Sequence, residues 1–269
     1  MGVFVFLPLV LPLTALPIVR LAEQHLHPRG ATRLLTALGC AFALCSTLCL
    51  ALLMVVGTAQ LPGNPLPDAW ADPEVRAVVP YPDYTGTTAI AALTAVLGAA
   101  AADLRRFRRV RTRAHRALDG LPPQDPAVLP DAAPYAYALP ADARRPGRVV
   151  VSTGMLAALT EEERAVLLAH ERAHLAGHHH RYLLAARLAA VANPLLRPLR
   201  GAVAYSAERW ADEDAASRVG DRRLAARAVG RAALVADSAA VPSPLLPALA
   251  AGPVPRRVAA LLGPVPPAR

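Results

Sequence analysis

The feature that most constrains how this chain can fold is a stretch of 26 residues, 34–59, without a charged side chain. A helix needs about 20 mostly apolar residues to cross a bilayer, so this stretch is long enough to span one. Residues 3–19 and 85–102 are also free of charge and close to that limit. We therefore expect a membrane domain over residues 1–116, with spanning helices near 3–19, 34–59 and 85–102.

The first apolar stretch is the least regular of the three, because Pro8, Pro12 and Pro17 interrupt it. Prolines are tolerated in membrane helices when neighbouring groups bind the carbonyls that lose their partners. A cleaved signal peptide is the alternative, but the segment lacks the basic residues that precede the apolar part of such a peptide. We favour a spanning helix.

The charges beside the three stretches predict the orientation of the chain. Residues 20–33 contain three arginines and one acidic residue, whereas residues 60–84 contain four acidic residues and one arginine. Residues 105–116 contain seven arginines. Because positively charged loops stay in the cytoplasm, we expect a multi-pass protein of the cell membrane, with its N-terminus outside and everything after residue 102 in the cytosol.

The arginine-rich segment 105–116 directly follows an expected span, so we assign it to contact with anionic headgroups of the lipid bilayer. A basic run with a single aromatic residue, Phe107, is weak evidence for nucleic-acid binding, and no direct nucleic-acid partner is expected. All 29 basic residues of the chain are arginine. The absence of lysine excludes a Walker-type phosphate loop and Schiff-base chemistry.

The sequence after residue 116 indicates a compact domain followed by a proline-rich tail. Thr160 and Glu163 form a capping box that begins a helix. Composition and periodicity predict strands at residues 135–139 and 148–152, and helices at about 181–199, 202–218 and 222–240. The expected fold class is therefore mainly α, with three N-terminal transmembrane helices and a cytosolic α+β, zincin-like domain that contains a small β-sheet. We assign residues 117–240 to this domain and residues 241–269 to the tail.

The strongest functional signal is His170-Glu171-Arg172-Ala173-His174 in the capped helix. His170 and His174 are four residues apart, so both imidazoles project from one face and can bind one Zn²⁺. Glu171 would lie beside the ion and act as the general base on the attacking water. The sequence therefore predicts a zinc metalloendopeptidase with one Zn²⁺ per chain.

A third ligand is needed, and Glu208-Arg209-Trp210-Ala211-Asp212 offers one. Glu208 can complete a site of two histidines and a glutamate. Asp212 shares its helix face and can hold the ring N–H of a ligand histidine, which makes it a further catalytic residue. The alternative third ligand is His180, in the metzincin pattern with Gly177. That class needs a methionine turn after the site, and no methionine follows it.

The choice of Glu208 also bears on topology. If residues 181–199 crossed the bilayer, Glu208 and His170 would lie on opposite sides and could not share an ion. We therefore expect a core or membrane-apposed helix there, and a fourth span is the alternative. The three histidines that follow Gly177, residues 178–180, are assigned to the solvated surface, with substrate contact as the alternative.

The paired motifs, with the preceding sequence VVVSTGM and LTEEERAVLLAHE, resemble the gluzincin peptidases of the beta-lactam-sensor antirepressor (BlaR) type and the related HtpX-like membrane proteases. The resemblance implies an integral-membrane zinc endopeptidase in which His170, His174 and Glu208 are ligands, Glu171 is the base and Asp212 supports a ligand. In antirepressor members the substrate is a transcriptional repressor.

We therefore expect a regulatory membrane protease that cleaves a cytosolic or membrane-proximal protein or peptide, such as a transcriptional repressor. A substrate strand would pair with the edge of the strand at residues 148–152. The alternatives are a quality-control protease of broad specificity, a zinc-binding signalling protein that does not cleave, and a histidine-rich metal sensor or carrier.

Overall fold

The computed structural model describes residues 2–58, 77, 79–122, 124–238 and 253–266. Most of the acidic loop expected outside the membrane, and the tail before residue 253, lie outside these residues. The described part is mainly helical and contains one small sheet, which confirms the predicted fold class.

Three apolar helical segments near the N-terminus are long enough to cross a membrane, as predicted. Their bounds are Phe4–His25, Pro28–Val56 and Tyr84–Ala117. Each extends beyond its charge-free stretch. The third continues without a break through the whole arginine-rich segment, so the expected span and the expected headgroup contact belong to one helix.

The first segment alternates between two helix types because proline lacks the N–H that an α-helix needs. It comprises a 3-10 helix at Gly2–Phe6, helix α1 (Leu7–Val10), a second 3-10 helix at Leu11–Thr14 and helix α2 (Ala15–His25). Helices α3 (Pro28–Thr58) and α4 (Pro82–Ala117) follow. Ser46 Oγ on α3 donates to the carbonyl oxygen of Pro8 at 2.9 Å. Pro12 has no N–H to donate to this carbonyl, so a side chain of the neighbouring helix binds it instead.

The sheet has three strands, β1 (Ala127–Leu129), β2 (Ala136–Leu139) and β3 (Arg148–Ser152), in the order β1-β3-β2. Strand β3 pairs with β1 in parallel and with β2 in an antiparallel register. The strands at 135–139 and 148–152 were predicted, but β1 was not. The expectation that a substrate pairs with residues 148–152 is wrong, because both edges of β3 are already occupied.

Within the described residues, six α-helices follow the sheet. They are α5 (Thr153–Ala158), α6 (Glu161–Ala176), α7 (His179–Ala192), α8 (Arg197–Val219), α9 (Arg222–Ser238) and α10 (Val254–Leu262). The predicted capping box begins α6: Thr160 Oγ1 accepts from the backbone N–H of Glu163, and the Glu163 carboxylate accepts from that of Thr160. This cap fixes where the helix that carries His170 starts.

The helix expected at 181–199 is divided in two. Helix α7 ends at Ala192, and a 3-10 turn at Pro194–Leu196 leads into α8. The Asn193 side chain accepts from the backbone N–H of Leu195 and caps this turn. Residues before a proline disfavour helical geometry, which explains the break at Asn193. The chain reverses there, so α7 and α8 form a hairpin, and no apolar helix of spanning length lies in this segment.

Two of the buried clusters connect α8 to the other helices. In one, Ala31 and Leu35 of α3 pack against Leu183 and Ala186 of α7 and Leu199 of α8. In the other, side chains of α6, α8, α9 and α10 meet, among them Val166, Ala215, Ala225 and Leu261. Helix α8 contributes to both clusters, and it therefore connects the apolar N-terminal helices to the domain that contains the histidine motif.

Candidate metal centre

Three potential metal ligands converge where α6 packs on α8. The Nε2 atoms of His170 and His174, one turn apart on α6, are 3.0 Å from each other. On α8, Glu208 Oε2 is 3.5 Å from His170 Nε2, and Glu208 Oε1 is 3.4 Å from His174 Nε2. Among the described residues, His180 is not part of this group.

The spacing of these atoms suits a zinc ion. A tetrahedral zinc about 2.0–2.1 Å from each ligand atom separates those atoms by roughly 3.3 Å. Two imidazoles and one carboxylate are also the donor set of catalytic zinc sites that keep a fourth position open. The three residues therefore fit one Zn²⁺, and an ordinary solvated helix face does not explain why all three are largely buried.

Glu171 lies beside the ligand group. Its carboxylate lies near the backbone N–H of Ala138 on β2, which favours the ionised form. Burial raises the pKa of Glu171 to about 7, and the negative charge of Glu208 adds to the increase. A carboxyl group with a pKa near neutrality can take up a proton and return it at physiological pH.

Asp212 lies one turn after Glu208 on α8 and faces the other nitrogen of His170. Asp212 Oδ1 is 3.1 Å from His170 Nδ1, although the ring N–H does not point directly at the oxygen. Burial alone would lower the pKa of His170, but the carboxylates of Asp212 and Glu208 outweigh it and raise that pKa to about 10. This contact orients the ring so that Nε2 faces Glu208.

Arg257 on α10 contacts both carboxylates, and the sequence analysis missed it. Its guanidinium donates to both Asp212 oxygens, at 2.8 and 2.6 Å, and its Nη1 is 2.9 Å from Glu208 Oε2. Arg257 is 6% exposed and Asp212 is 1% exposed. Burial opposes ionisation of Glu208 and Asp212, but the guanidinium more than compensates and holds the pKa of each below its usual value.

His179 also reaches the centre, contrary to its assignment to the solvated surface. It is fully buried, and its Nδ1 is 2.8 Å from Nδ1 of His174. Gly177 ends α6, and His178 adopts a left-handed conformation with φ 52°, so the chain turns sharply and brings His179 back beneath His174. A methyl group at Gly177 would collide with the His179 ring, which explains the glycine. His178 itself is exposed, as expected.

The electrostatic setting keeps His179 and His174 neutral. Burial lowers the pKa of His179 to about 2, with repulsion from His174 contributing. Burial likewise lowers the pKa of His174 to about 4. A histidine that binds a metal through Nε2 carries its proton on Nδ1. Neutral His179 can accept that proton's hydrogen bond and so select the tautomer of His174 that ligation needs.

Trp210 connects the centre to helix α3. Its ring lies 4.4 Å from that of His179, measured between centroids. On its other side, the guanidinium carbons of Arg29 and Arg33, both on α3, lie 5.3 and 5.8 Å from the Trp210 ring centroid. The first turns of α3 are therefore close to the residues that position His174.

A cavity of about 250 Å³ opens beside His170 and Glu171. One wall is the alanine-rich face of α9, which includes Ala228, Ala232 and Ala236. The opposite wall comes from residues at the start of β2 and from α5 and α6, among them Tyr135, Ala136, Met155, Val166 and Leu167. Apart from the centre's own charged residues, the lining is predominantly apolar, so the cavity suits an apolar side chain of a bound peptide.

The described residues combine a candidate metal centre with three apolar helical segments long enough to cross a membrane. Residues 104–190 match the family model of Peptidase family M48. The matched region contains His170, Glu171 and His174, and it ends before Glu208. The matched part of the chain is thus similar to metallopeptidases, which use a metal, typically zinc. No curated protein and no solved structure matches the chain.

Proposed function

We propose that the chain is an integral, multi-pass membrane zinc endopeptidase in which His170, His174 and Glu208 bind one Zn²⁺. The observation that carries this proposal is the convergence of their three ligand atoms next to the partly buried carboxylate of Glu171. A zinc ion held there would polarise a peptide carbonyl and acidify water. The remaining chemistry is assigned to residues of the chain itself.

Glu171 is the proposed general base. It takes the proton from the attacking water and later gives it to the departing amine, which its pKa near neutrality allows. Asp212 holds His170, His179 holds His174, and Arg257 keeps Asp212 and Glu208 ionised and in place. These supporting contacts fix the orientation of the ligands before substrate arrives.

The proposed substrate path follows β2 in place of β3. Strand β2 is at the end of the sheet, and its outer edge has no strand partner among the described residues. The N–H of Ala138 on this strand points toward Glu171. A peptide added to the outer edge of β2 would place its carbonyl near the ligand group and a side chain in the apolar cavity.

The subfamily, the orientation in the membrane and the domain bounds are also proposals. We place the chain nearest the BlaR-type and HtpX-like membrane proteases because it combines the two motifs with apolar N-terminal helices. Positive flanking charge supports a cytosolic centre and an external N-terminus. We keep residues 1–116 as the membrane domain and 117–240 as the peptidase domain, and we extend the latter to include α10, because Arg257 contacts the centre.

Cleavage of an unfolded protein by the detergent-purified chain tests the proposal. We expect cleavage that a zinc chelator abolishes and added zinc restores, and that Glu171→Gln reduces by at least about 10²-fold because the general base is lost. Glu161→Gln, on the exposed first turn of the same helix, is the matched control and should cleave normally. Equal activity of the Glu171 variant and wild type would refute the assigned mechanism.

A regulatory protease and a quality-control protease differ in their substrates. We favour a regulatory role that includes cleavage of a transcriptional repressor, in line with the resemblance to antirepressor proteases. Proteins that accumulate in a strain carrying Glu171→Gln would distinguish the two: one or a few defined proteins indicate regulation, and many misfolded membrane proteins indicate quality control. A zinc-binding protein that does not cleave would accumulate none.

A further inference from the structure

We propose that the hairpin of residues 183–200, formed by most of α7, the 3-10 turn and the start of α8, is immersed in the bilayer leaflet nearest the metal centre. Lipid acyl chains would cover its outer face, and the centre would work within about two helical turns of the membrane surface. The inference rests on the proposed function only in taking the three apolar segments as spanning helices.

The tip of the hairpin bonds to the interior of two expected spans. Asn193 Nδ2 donates to the carbonyl oxygen of Leu9 at 2.8 Å and to Ser46 Oγ at 2.9 Å. Ser46 lies twelve residues inside the charge-free stretch that begins at residue 34. The tip therefore lies beside segments whose surroundings are hydrocarbon, well past their polar ends.

Close packing continues along the hairpin. A methyl group added to Gly39 would come within 2.8 Å of the Leu199 side chain and 3.8 Å of Ala189. Both sides of the hairpin thus approach the backbone of α3 at a position inside its apolar stretch. Small residues at such contacts are typical of helices that associate within a membrane.

The face of α7 turned away from this contact is apolar. Leu184, Leu188, Val191 and Leu195 recur at intervals of four, three and four residues and are each partly or largely exposed. The exposed positions of α9, by contrast, include Arg223, Arg227 and Arg231. An outward helix face without polar groups is unfavourable in water over this length and is the usual face of a helix in lipid.

The charges of the hairpin are consistent with this depth. Arg187 is the one charged residue between positions 182 and 196, and it donates to both carboxylate oxygens of Asp103, at 2.7 and 2.6 Å. Asp103 ends the charge-free stretch of the third span, so the pair marks the membrane boundary. Asn193 lies six residues beyond Arg187, about 9 Å deeper. Arg197, near the tip, has a stem long enough to extend toward the headgroups.

The position of the hairpin also limits which peptide bonds of a substrate can reach the metal centre. Arg200, on α8, is the last residue of the hairpin proposed to be immersed. Glu208 follows eight residues later, about 12 Å along the helix. Trp210 contacts the first turns of α3 in the same region. Substrates would therefore be cleaved close to the membrane surface.

Nitroxide accessibility in lipid vesicles tests the immersion. The three native cysteines would be replaced by alanine, and Leu188→Cys and Leu195→Cys spin-labelled in separate proteins reconstituted in phosphatidylcholine and phosphatidylglycerol. We expect both labels to collide with dissolved oxygen several-fold more often than with a water-soluble nickel chelate. Leu52→Cys, on the exposed face of α3, is the lipid control, and Arg218→Cys, near the end of α8, is the water control.

The controls separate the possible failures. If the labels at 188 and 195 are as accessible to the nickel chelate as the label at 218, while the label at 52 is accessible mainly to oxygen, the hairpin lies in water. The inference is then overturned, but the assignment of the spanning helices stands. If the label at 52 is also as accessible to the nickel chelate as the label at 218, the membrane assignment of α3 fails, and the inference fails with it. Two labelled positions guard against a variant that does not fold, and the zinc content of each protein reports on the centre independently.

Discussion

The guanidinium of Arg257 donates two hydrogen bonds to the carboxylate of Asp212, from Nε to Oδ2 at 2.8 Å and from Nη2 to Oδ1 at 2.6 Å. Asp212 in turn lies 3.1 Å from His170. A helix near the C-terminus is therefore connected to a proposed zinc ligand through one buried ion pair. The proposed active site thus depends on residues 87 positions apart, from His170 to Arg257.

Arg257→Ala should destabilise the folded protein strongly. The substitution leaves the buried carboxylate of Asp212 without its counter-charge, and breaking a buried pair in this way costs about 3–5 kcal/mol. We expect a clear fall in the free energy of unfolding, measured by denaturant titration in detergent. Arg256→Ala is the control, because Arg256 pairs with Glu23 in a more exposed setting, where a pair is worth about 0–1 kcal/mol. Equal effects of the two substitutions would contradict the assigned role.

Asp212→Asn should weaken zinc binding without removing a ligand. The amide retains the shape of the side chain but lacks the charge that holds His170 and pairs with Arg257. Replacing such a supporting group typically lowers metal affinity about 10–100-fold. Competition with a chromogenic chelator would measure the change. Asp214→Asn, on the same helix, is the comparison, and it should have a much smaller effect. An unchanged affinity in the Asp212 variant would remove this residue from the site.

His179→Ala should reduce zinc affinity and activity, whereas His178→Ala should not. The two residues are neighbours in sequence, but His179 is buried against His174 and His178 is exposed. Loss of His179 frees the ring of His174 to turn and leaves its Nδ1 without a partner, so we expect a fall in affinity of about 10-fold or more. Chelator competition on both variants makes the comparison. Equal losses in the two variants would contradict a specific role for His179.

Filling the cavity beside Glu171 should change which peptides are cleaved. Ala232 lines this cavity, and Ala232→Phe would occupy much of its volume of about 250 Å³. We expect cleavage at large apolar residues to fall relative to cleavage at alanine or glycine, with zinc content unchanged. A peptide library analysed by mass spectrometry gives the preference directly. Leu234→Phe, at an exposed position of the same helix, should leave the preference as it is.

The sequence was sufficient for those features that depend on local pattern. Absence of charge over 26 residues predicted α3, and the capping box at Thr160 and Glu163 predicted where α6 begins. The two motifs identified His170, His174 and Glu208 as candidates that the structure brings together. Each of these signals is contained in a few neighbouring residues, where helix periodicity and capping determine geometry.

The missed features depend on contacts between distant segments. Nothing in the proline-rich neighbourhood of Arg257 indicates that its guanidinium reaches Asp212. His179 was assigned to solvent because the turn at Gly177 and His178, which redirects it, has no distinctive pattern. The substrate was expected to pair with β3, which is the central strand of the sheet and has no free edge. The valine run of β3 indicates only that the strand is buried, and does not show which strands lie beside it. Strand order is not encoded in any single strand.

Zinc content is the most direct test of the central claim, that His170, His174 and Glu208 form one metal site. We would measure zinc per chain by mass spectrometry in the purified wild type and in Glu208→Ala, with Glu213→Ala from the same helix as a further variant. About one zinc per chain in the wild type, mostly lost from the Glu208 variant and retained in the Glu213 variant, is the predicted result. Full zinc content in the Glu208 variant would contradict the account and assign the third ligand to another residue.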